Sequence, residues 1–117
     1  MQLAERLALA ALYFATNGKE WNNDSGWLSG SSQCDWRGVS CNSEDRATQL
    51  DLSNNNLSGT LIRDLGELWR LETLDLQRKS LAGSFPTQLG RLVRLVTLEI
   101  SRNQIRGVDD SNCVENS

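Results

Sequence analysis

Histidine is absent from the 117 residues, proline occurs once and cysteine three times. Without histidine, Ser-His-Asp and Cys-His catalysis, imidazole-ligated metals and imidazole pH switches are all excluded. One Pro and nine Gly argue against a collagen-like or Pro-rich disordered chain. No apolar run reaches the length of about 18 residues that a membrane-spanning helix needs, so no segment reads as inserting directly into a membrane. The net charge of −3, from 12 basic and 15 acidic residues, provides no chain-wide field for nucleic acid or other polyanions. Hydrophobic residues make up 38%, below the roughly 45–50% of ordinary globular domains. What the chain does have is leucine: 19 residues, 14 of them between Leu50 and Leu98. The length suits one small domain, and no cofactor is implied.

The leucines repeat. At an offset of 24 residues Leu50, Leu74 and Leu98 coincide, as do Leu52, Leu76 and Ile100, and Leu57, Leu81 and Ile105. Gly59, Gly83 and Gly107 follow the same step, as do the pairs Gly66 and Gly90, Leu65 and Leu89, and Leu68 and Leu92. Such a period is the signature of a repeat architecture. It divides the chain into units 47–70, 71–94 and an incomplete 95–117, after a distinct segment 1–46.

Each unit carries a short stretch such as Thr73-Leu74-Asp75-Leu76-Gln77, whose alternation fits a half-buried strand. Alone it is too short to be stable. Stacked about 4.8 Å apart, identical strands pair in parallel. Asn55 and Asn103 share a column where an amide can turn inward onto buried backbone groups. The glycines allow a turn that a side chain would obstruct. Pro86 sets an extended approach to a short helical turn carrying Leu89 and Leu92. The expected result is a right-handed coil with a ladder of leucines inside.

The pattern LxxLxLxxNxLxGxxPxxLGxL, seen from Leu71 to Leu92, resembles the plant-type extracellular leucine-rich repeat. Upstream, Cys34-Asp35-Trp36-Arg37-Gly38-Val39-Ser40-Cys41 resembles the CxWxGVxC motif of the matching N-terminal cap. Residues 11–27, ALYFATNGKEWNNDSGW, are similar to caps of repeat proteins from algae, oomycetes and other non-plant microbes. The resemblance implies an α/β fold: a right-handed leucine-rich repeat solenoid, or horseshoe, with a helical N-terminal cap over residues 1–46.

A cap is needed because the first leucine layer would otherwise face water. Residues 2–16 read as a helix that buries Leu3, Leu7, Ala11 and Phe14 on one stripe and stops at Asn17-Gly18. Trp21, Trp27 and Trp36 read as the apolar filling; the other reading is a set of aromatic ligand platforms. Cys34 and Cys41 are either two reduced, buried thiols or a disulfide. The resemblance favours the bond, worth about 2–3 kcal/mol on the chain-entropy model, and hence an oxidising compartment. Two cysteines without histidine leave a zinc site underliganded. Cys113 falls on the column of Leu65 and Leu89, so it is a small buried thiol or the partner of a cysteine outside these residues.

Strand positions facing away from the leucines form columns on the concave face. They comprise Gln49, Thr73 and Thr97; Asp51, Asp75 and Glu99; Ser53, Gln77 and Ser101; and Asn54, Arg78 and Arg102. Carboxylate pairs at comparable spacing serve glycosidases, but here they lie open to water, and their mutual repulsion is about 1 kcal/mol or less. We therefore read Asp51, Asp75, Gln77, Arg78, Glu99 and Arg102 as ligand contacts rather than catalytic groups. Six basic residues lie between Gln77 and Arg106 against one acid, Glu99. That excess reads either as a solvated surface or as a site for an anionic partner. Lys79 replaces the expected Asn and interrupts the amide column. Trp69 and Val93, with Arg70 and Arg94 alongside, form either a lateral contact patch or packing over the neighbouring unit.

The resemblance implies a non-catalytic protein or peptide recognition module of a receptor-like protein in signalling or defence. One alternative is a cell-wall polysaccharide binder similar to polygalacturonase-inhibiting proteins, taking an anionic polysaccharide. Another is the sensor part of a receptor kinase, since the kinase signatures do not occur in these residues. The resemblance places the chain outside the cell or at its surface. Residues 7–15 are apolar enough for an export signal, but Glu5 offsets Arg6 and the stretch runs into the cap, so we read it as cap helix. Asn23 and Asn56 head glycosylation triplets. Val108-Asp109-Asp110-Ser111-Asn112 carries no closing motif, which fits a fragment of an extracellular protein whose C-terminal edge invites further repeats or association.

Overall fold

The computed structural model describes residues 3–76, 80–99 and 104–108, with the backbone alone at 80, 82–85 and 104–108. Helix α1 (Leu3–Ala15) is followed by strands β1 (Val39–Cys41), β2 (Ala47–Asp51), β3 (Ser58–Thr60), β4 (Thr73–Asp75), β5 (Ser80–Phe85), β6 (Thr97–Glu99) and β7 (Gln104–Val108). Two short 3-10 turns, Arg63–Glu67 and Thr87–Arg91, precede β4 and β6. Pro86, at φ −65 and ψ 139, enters the second of these extended, as expected.

The strands form two sheets, in the orders β1-β2-β4-β6 and β3-β5-β7. In the first, Gln49, Thr73 and Thr97 are mutual partners, as are Leu50, Leu74 and Leu98, and Asp51, Asp75 and Glu99. Every step is the 24 residues of the sequence repeat. In the second sheet Gly59 faces Leu81 and Gly83 faces Ile105, a step of 22. The glycines that align in sequence therefore do not face one another. Two residues make one full pleat, so the alternation is preserved up to Gly83, after which an irregularity brings Phe85 opposite Val108 at a step of 23. The first unit reaches β3 through Asn54 and Asn56, both left-handed at φ 58 and 64.

Leucines fill the space between the sheets. Leu50, Leu52, Leu57, Leu65, Leu68, Leu71, Leu74, Leu76 and Leu81 are all buried. Leu89, Leu92 and Leu98, which continue three of these columns, are slightly less so. At roughly 1.5–3 kcal/mol for each fully buried Leu, this ladder dominates the stabilisation. Asn55 turns inward as expected. Its Oδ1 accepts from the Asn23 N–H at 2.7 Å and its Nδ2 donates to the Asn23 carbonyl at 3.0 Å.

The helix corrects one expectation. Leu3, Leu7 and Phe14 are about 60% exposed, and the buried face carries Glu5, Ala8, Leu9, Leu12 and Tyr13. The sequence offers two apolar stripes, and polar anchors select between them. Glu5 Oε1 accepts from the Ala47 N–H at 2.8 Å, and the Tyr13 hydroxyl donates to Asp24 Oδ2 at 2.7 Å. Burial pushes the Glu5 carboxyl above its ordinary pKa; the Ala47 N–H and the Arg46 and Arg70 charges pull it back only in part. The helix ends at left-handed Asn17, the stop read from Asn17-Gly18.

Trp21, Trp27 and Trp36 are buried, with ring centroids 4.8 Å apart in the first pair and 5.0 Å in the second. The Trp21 indole N–H donates to the Thr16 carbonyl and that of Trp27 to the Arg37 carbonyl. They are filling, not ligand platforms. Cys34 and Cys41 form a disulfide. Cys113, Asn103, Lys79 and the segment after Val108 lie outside the described residues.

Candidate ligand-binding surface

The outward positions of the first sheet come from its alternation. With Leu50 and Leu74 turned in, Gln49 and Asp51 on β2 and Thr73 and Asp75 on β4 turn out, and Thr97 and Glu99 continue both rows on β6. Asp51, Asp75 and Glu99 are thus brought into one row. Gln77, Arg78 and Arg102 lie outside the described residues, as do Ser101 and its neighbours.

The Cys34–Cys41 loop locks one end of this row. Gly38 has φ +91, and a Cβ there would sit 2.5 Å from the Asp51 carbonyl oxygen, so only glycine suits this approach. Asp51 N–H donates to the Gly38 carbonyl at 2.9 Å. Strand β1 then runs antiparallel to β2, with Ser40 opposite Gln49, and covers a sheet edge that would otherwise be open to pairing. Asp51 Oδ1 accepts from the backbone N–H and hydroxyl of Ser53, at 3.0 and 2.7 Å. Asn22 Nδ2 donates to the Asn54 carbonyl at 2.7 Å.

These connections leave a cleft of about 630 Å³, whose walls include Asn22, Arg37, Ser40, Gln49, Asp51 and Asn54. Apart from Arg37 and Asp51 these are neutral amides and hydroxyls, which can donate and accept toward a peptide backbone. Sequence reasoning placed Asp51 here but missed Arg37, Ser40 and Asn22. The signal for the first two was the Val39-Ser40-Cys41 alternation, which marks a strand once the cysteine bond ties it beside β2. Among the described residues no group of three or more His, Cys, Asp or Glu side chains is arranged to hold a metal.

Elsewhere, Trp69 is half-buried and Val93 is 77% exposed. The guanidinium carbons of Arg70, Arg46 and Arg94 lie 4.5, 5.5 and 5.6 Å from the Trp69 ring centroid. Both triplet asparagines are exposed. Asn23 Oδ1 accepts from the Ser25 N–H and hydroxyl, whereas Asn56 Nδ2 donates to the Glu20 carbonyl at 3.0 Å. No helix among the described residues is long and apolar enough to cross a membrane.

The family described as Leucine Rich Repeat matches residues 46–68. The chain is 49% identical over 39 residues to Leucine-rich repeat protein 1 of Arabidopsis thaliana, a stretch that is 33% of this chain and 18% of that protein. Among solved structures, the BIR2 ectodomain from Arabidopsis thaliana matches with a TM-score of 0.76 and 29% identity, over 86% of this chain and 56% of that one. The ectodomain of the Arabidopsis receptor kinase HAESA, solved with an N-terminally extended IDA peptide hormone ligand, matches with a TM-score of 0.66 and 27% identity. That match covers 87% of this chain and 17% of the other. The chain thus spans less than a fifth of the curated relative's length.

Proposed function

We propose that this chain, which is similar to plant leucine-rich repeat proteins, is a non-catalytic, receptor-like module that recognises a protein or peptide. The observation that carries the reading is the in-register polar row Asp51-Asp75-Glu99, which ends at a cleft of neutral hydrogen-bonding groups. Strands β2, β4 and β6 line the concave face of a right-handed horseshoe built from units 47–70, 71–94 and 95–117. Residues 1–46, with α1 and the tryptophan cluster, form its cap. Asp51, Asp75, Gln77, Arg78, Glu99 and Arg102 contact the ligand, joined by Arg37 and Ser40. Trp69 and Val93 add a lateral contact.

The mechanism is preorganisation. Asp51 on β2 and Asp75 on β4 stand on strands already paired on both sides, so little ordering entropy is lost on binding. The HAESA ectodomain bound to a peptide hormone ligand supports a peptide as the partner class. The Cys34–Cys41 disulfide suits an extracellular or cell-surface site, where Asn23 and Asn56 would be open to glycosylation.

Selection of a random dodecapeptide display library on the disulfide-intact chain tests the reading. Enriched peptides are expected to lose binding in the Asp51→Ala/Asp75→Ala variant, with an unchanged Tm. Enriched peptides that bind this variant undiminished would overturn it.

A further inference from the structure

Arg46, Arg70 and Arg94 are 24 residues apart, so the repeat itself stacks three like charges in one column. The column is held together by Trp69, whose ring lies within 5.6 Å of all three guanidinium carbons. Stacking on an indole stabilises a guanidinium yet leaves its N–H edge free to donate. The three are not equally compensated. Arg46 has the buried Glu5 carboxylate at 3.9 Å. Arg70 pairs with Glu44 at 3.0 Å, and its Nε is enclosed without an acceptor. Arg94 is exposed and has no ion pair among the described residues; its neighbour Arg91 instead faces Glu67 at 3.8 Å. Among the described residues, three cations against two carboxylates leave the column with one positive charge uncompensated, in a chain whose net charge is −3. Beside it, Val93 and Val96 are 77% and 83% exposed.

We infer that the Arg46–Arg70–Arg94 column around Trp69 seats an acidic segment of a protein partner, with Val93 and Val96 receiving its apolar side chains. The inference rests on the lateral contact proposed above and is independent of the concave cleft. Guanidinium edges bind carboxylates with two parallel hydrogen bonds. At strand spacing the column spans about 10 Å, within reach of acidic side chains at alternate positions of an extended segment. A saccharide fits less well. The guanidiniums already occupy the Trp69 ring that a sugar would stack on, and bare valines offer its hydroxyls no partner.

The test is fluorescence polarisation of three labelled probes at low salt: hexa-glutamate, a neutral Leu-Ser hexapeptide and polygalacturonate. Hexa-glutamate is expected to bind and to weaken several-fold as salt rises, because exposed charges are screened. Arg94→Glu should weaken it about tenfold or more with an unchanged Tm, and Asp51→Ala should leave it unaltered. Arg94→Gln gives the same reading with a smaller change should the reversal impair folding. Absence of hexa-glutamate binding, or binding indifferent to Arg94, overturns the inference. If only the neutral peptide binds, and Val93→Asp abolishes it, the acidic assignment falls while the lateral contact stands. Retention of polygalacturonate in place of hexa-glutamate would equally exclude an acidic peptide.

Discussion

At the scale of single residues, one glycine column shows how identical sequence positions acquire different costs. Gly66 and Gly90 are equivalent in the repeat, yet a Cβ on Gly66 would sit 2.7 Å from the Gln88 carbonyl oxygen, whereas one on the exposed Gly90 meets nothing within 4 Å among the described residues. The contact is with backbone, so it is relieved only by moving one turn off the next. Gly66→Ala should cost about 1–3 kcal/mol, as overpacking does. Gly90→Ala should change stability by about 0.5 kcal/mol or less, as surface substitutions do. Urea unfolding of both variants gives the comparison, and equal losses would contradict the packing described. Glu5 supplies a second residue-level expectation. Burial raises its pKa above the ordinary 4.5, so the folded state retains a proton that the unfolded chain has released. The contribution of Glu5 is therefore fully present below pH 4.5 and is lost as pH rises through the folded value. Relative to Glu5→Gln, the parent chain should lose stability as the pH rises above about 4.5. Paired urea melts across that range would show no such trend if the carboxylate were solvated.

At the scale of elements, α1 gives the sharpest contrast. Leu7 is 59% exposed and Leu9 fully buried, although the two sit on the same short apolar helix. Leu9→Ala should destabilise by about 2–5 kcal/mol, and Leu7→Ala by about 0.5 kcal/mol or less; thermal melts reversing that order would restore the stripe expected from sequence. The 24-residue period made the first parallel sheet legible down to its register, because every leucine column had to coincide for the strands to share one interior. The inward turn of Asn55 was legible for the same reason, since the bend after β2 needs an amide there. The helix face was not legible. Hydrophobicity alone favours neither stripe, and the choice rests on the Glu5–Ala47 and Tyr13–Asp24 bonds, which span 42 and 11 residues. The 22-residue step of the second sheet was hidden because the glycine columns align at 24 in sequence, while the strands that carry them pair two residues away from that step. Arg37 and Ser40 became part of the cleft only through the antiparallel strand β1.

At the scale of the whole molecule, the Cys34–Cys41 bond couples the tryptophan cluster to the leucine ladder. The loop it closes carries Trp36 at its centre and β1 at its end, and β1 covers β2. Arg6 stacks on Trp36 at 4.8 Å while its guanidinium donates to the Ser29 and Ser31 carbonyls. Through Arg6 the loop is also tied to α1. A crosslink over so short a loop contributes about 2–3 kcal/mol on the chain-entropy model. In Cys34→Ser/Cys41→Ser the loss should be felt first where β1 shields the sheet. Hydrogen exchange is therefore expected to accelerate at Ala47–Asp51 before it does at Thr73–Asp75, with the global stability down by about 2–3 kcal/mol. Since Asp51 N–H donates to the Gly38 carbonyl inside the loop, the same variant should weaken the peptide binding proposed at the cleft more than the hexa-glutamate binding proposed at the Trp69 flank. Uniform acceleration across both strands would mean that the loop acts only on the unfolded chain, with no local role in holding the cleft.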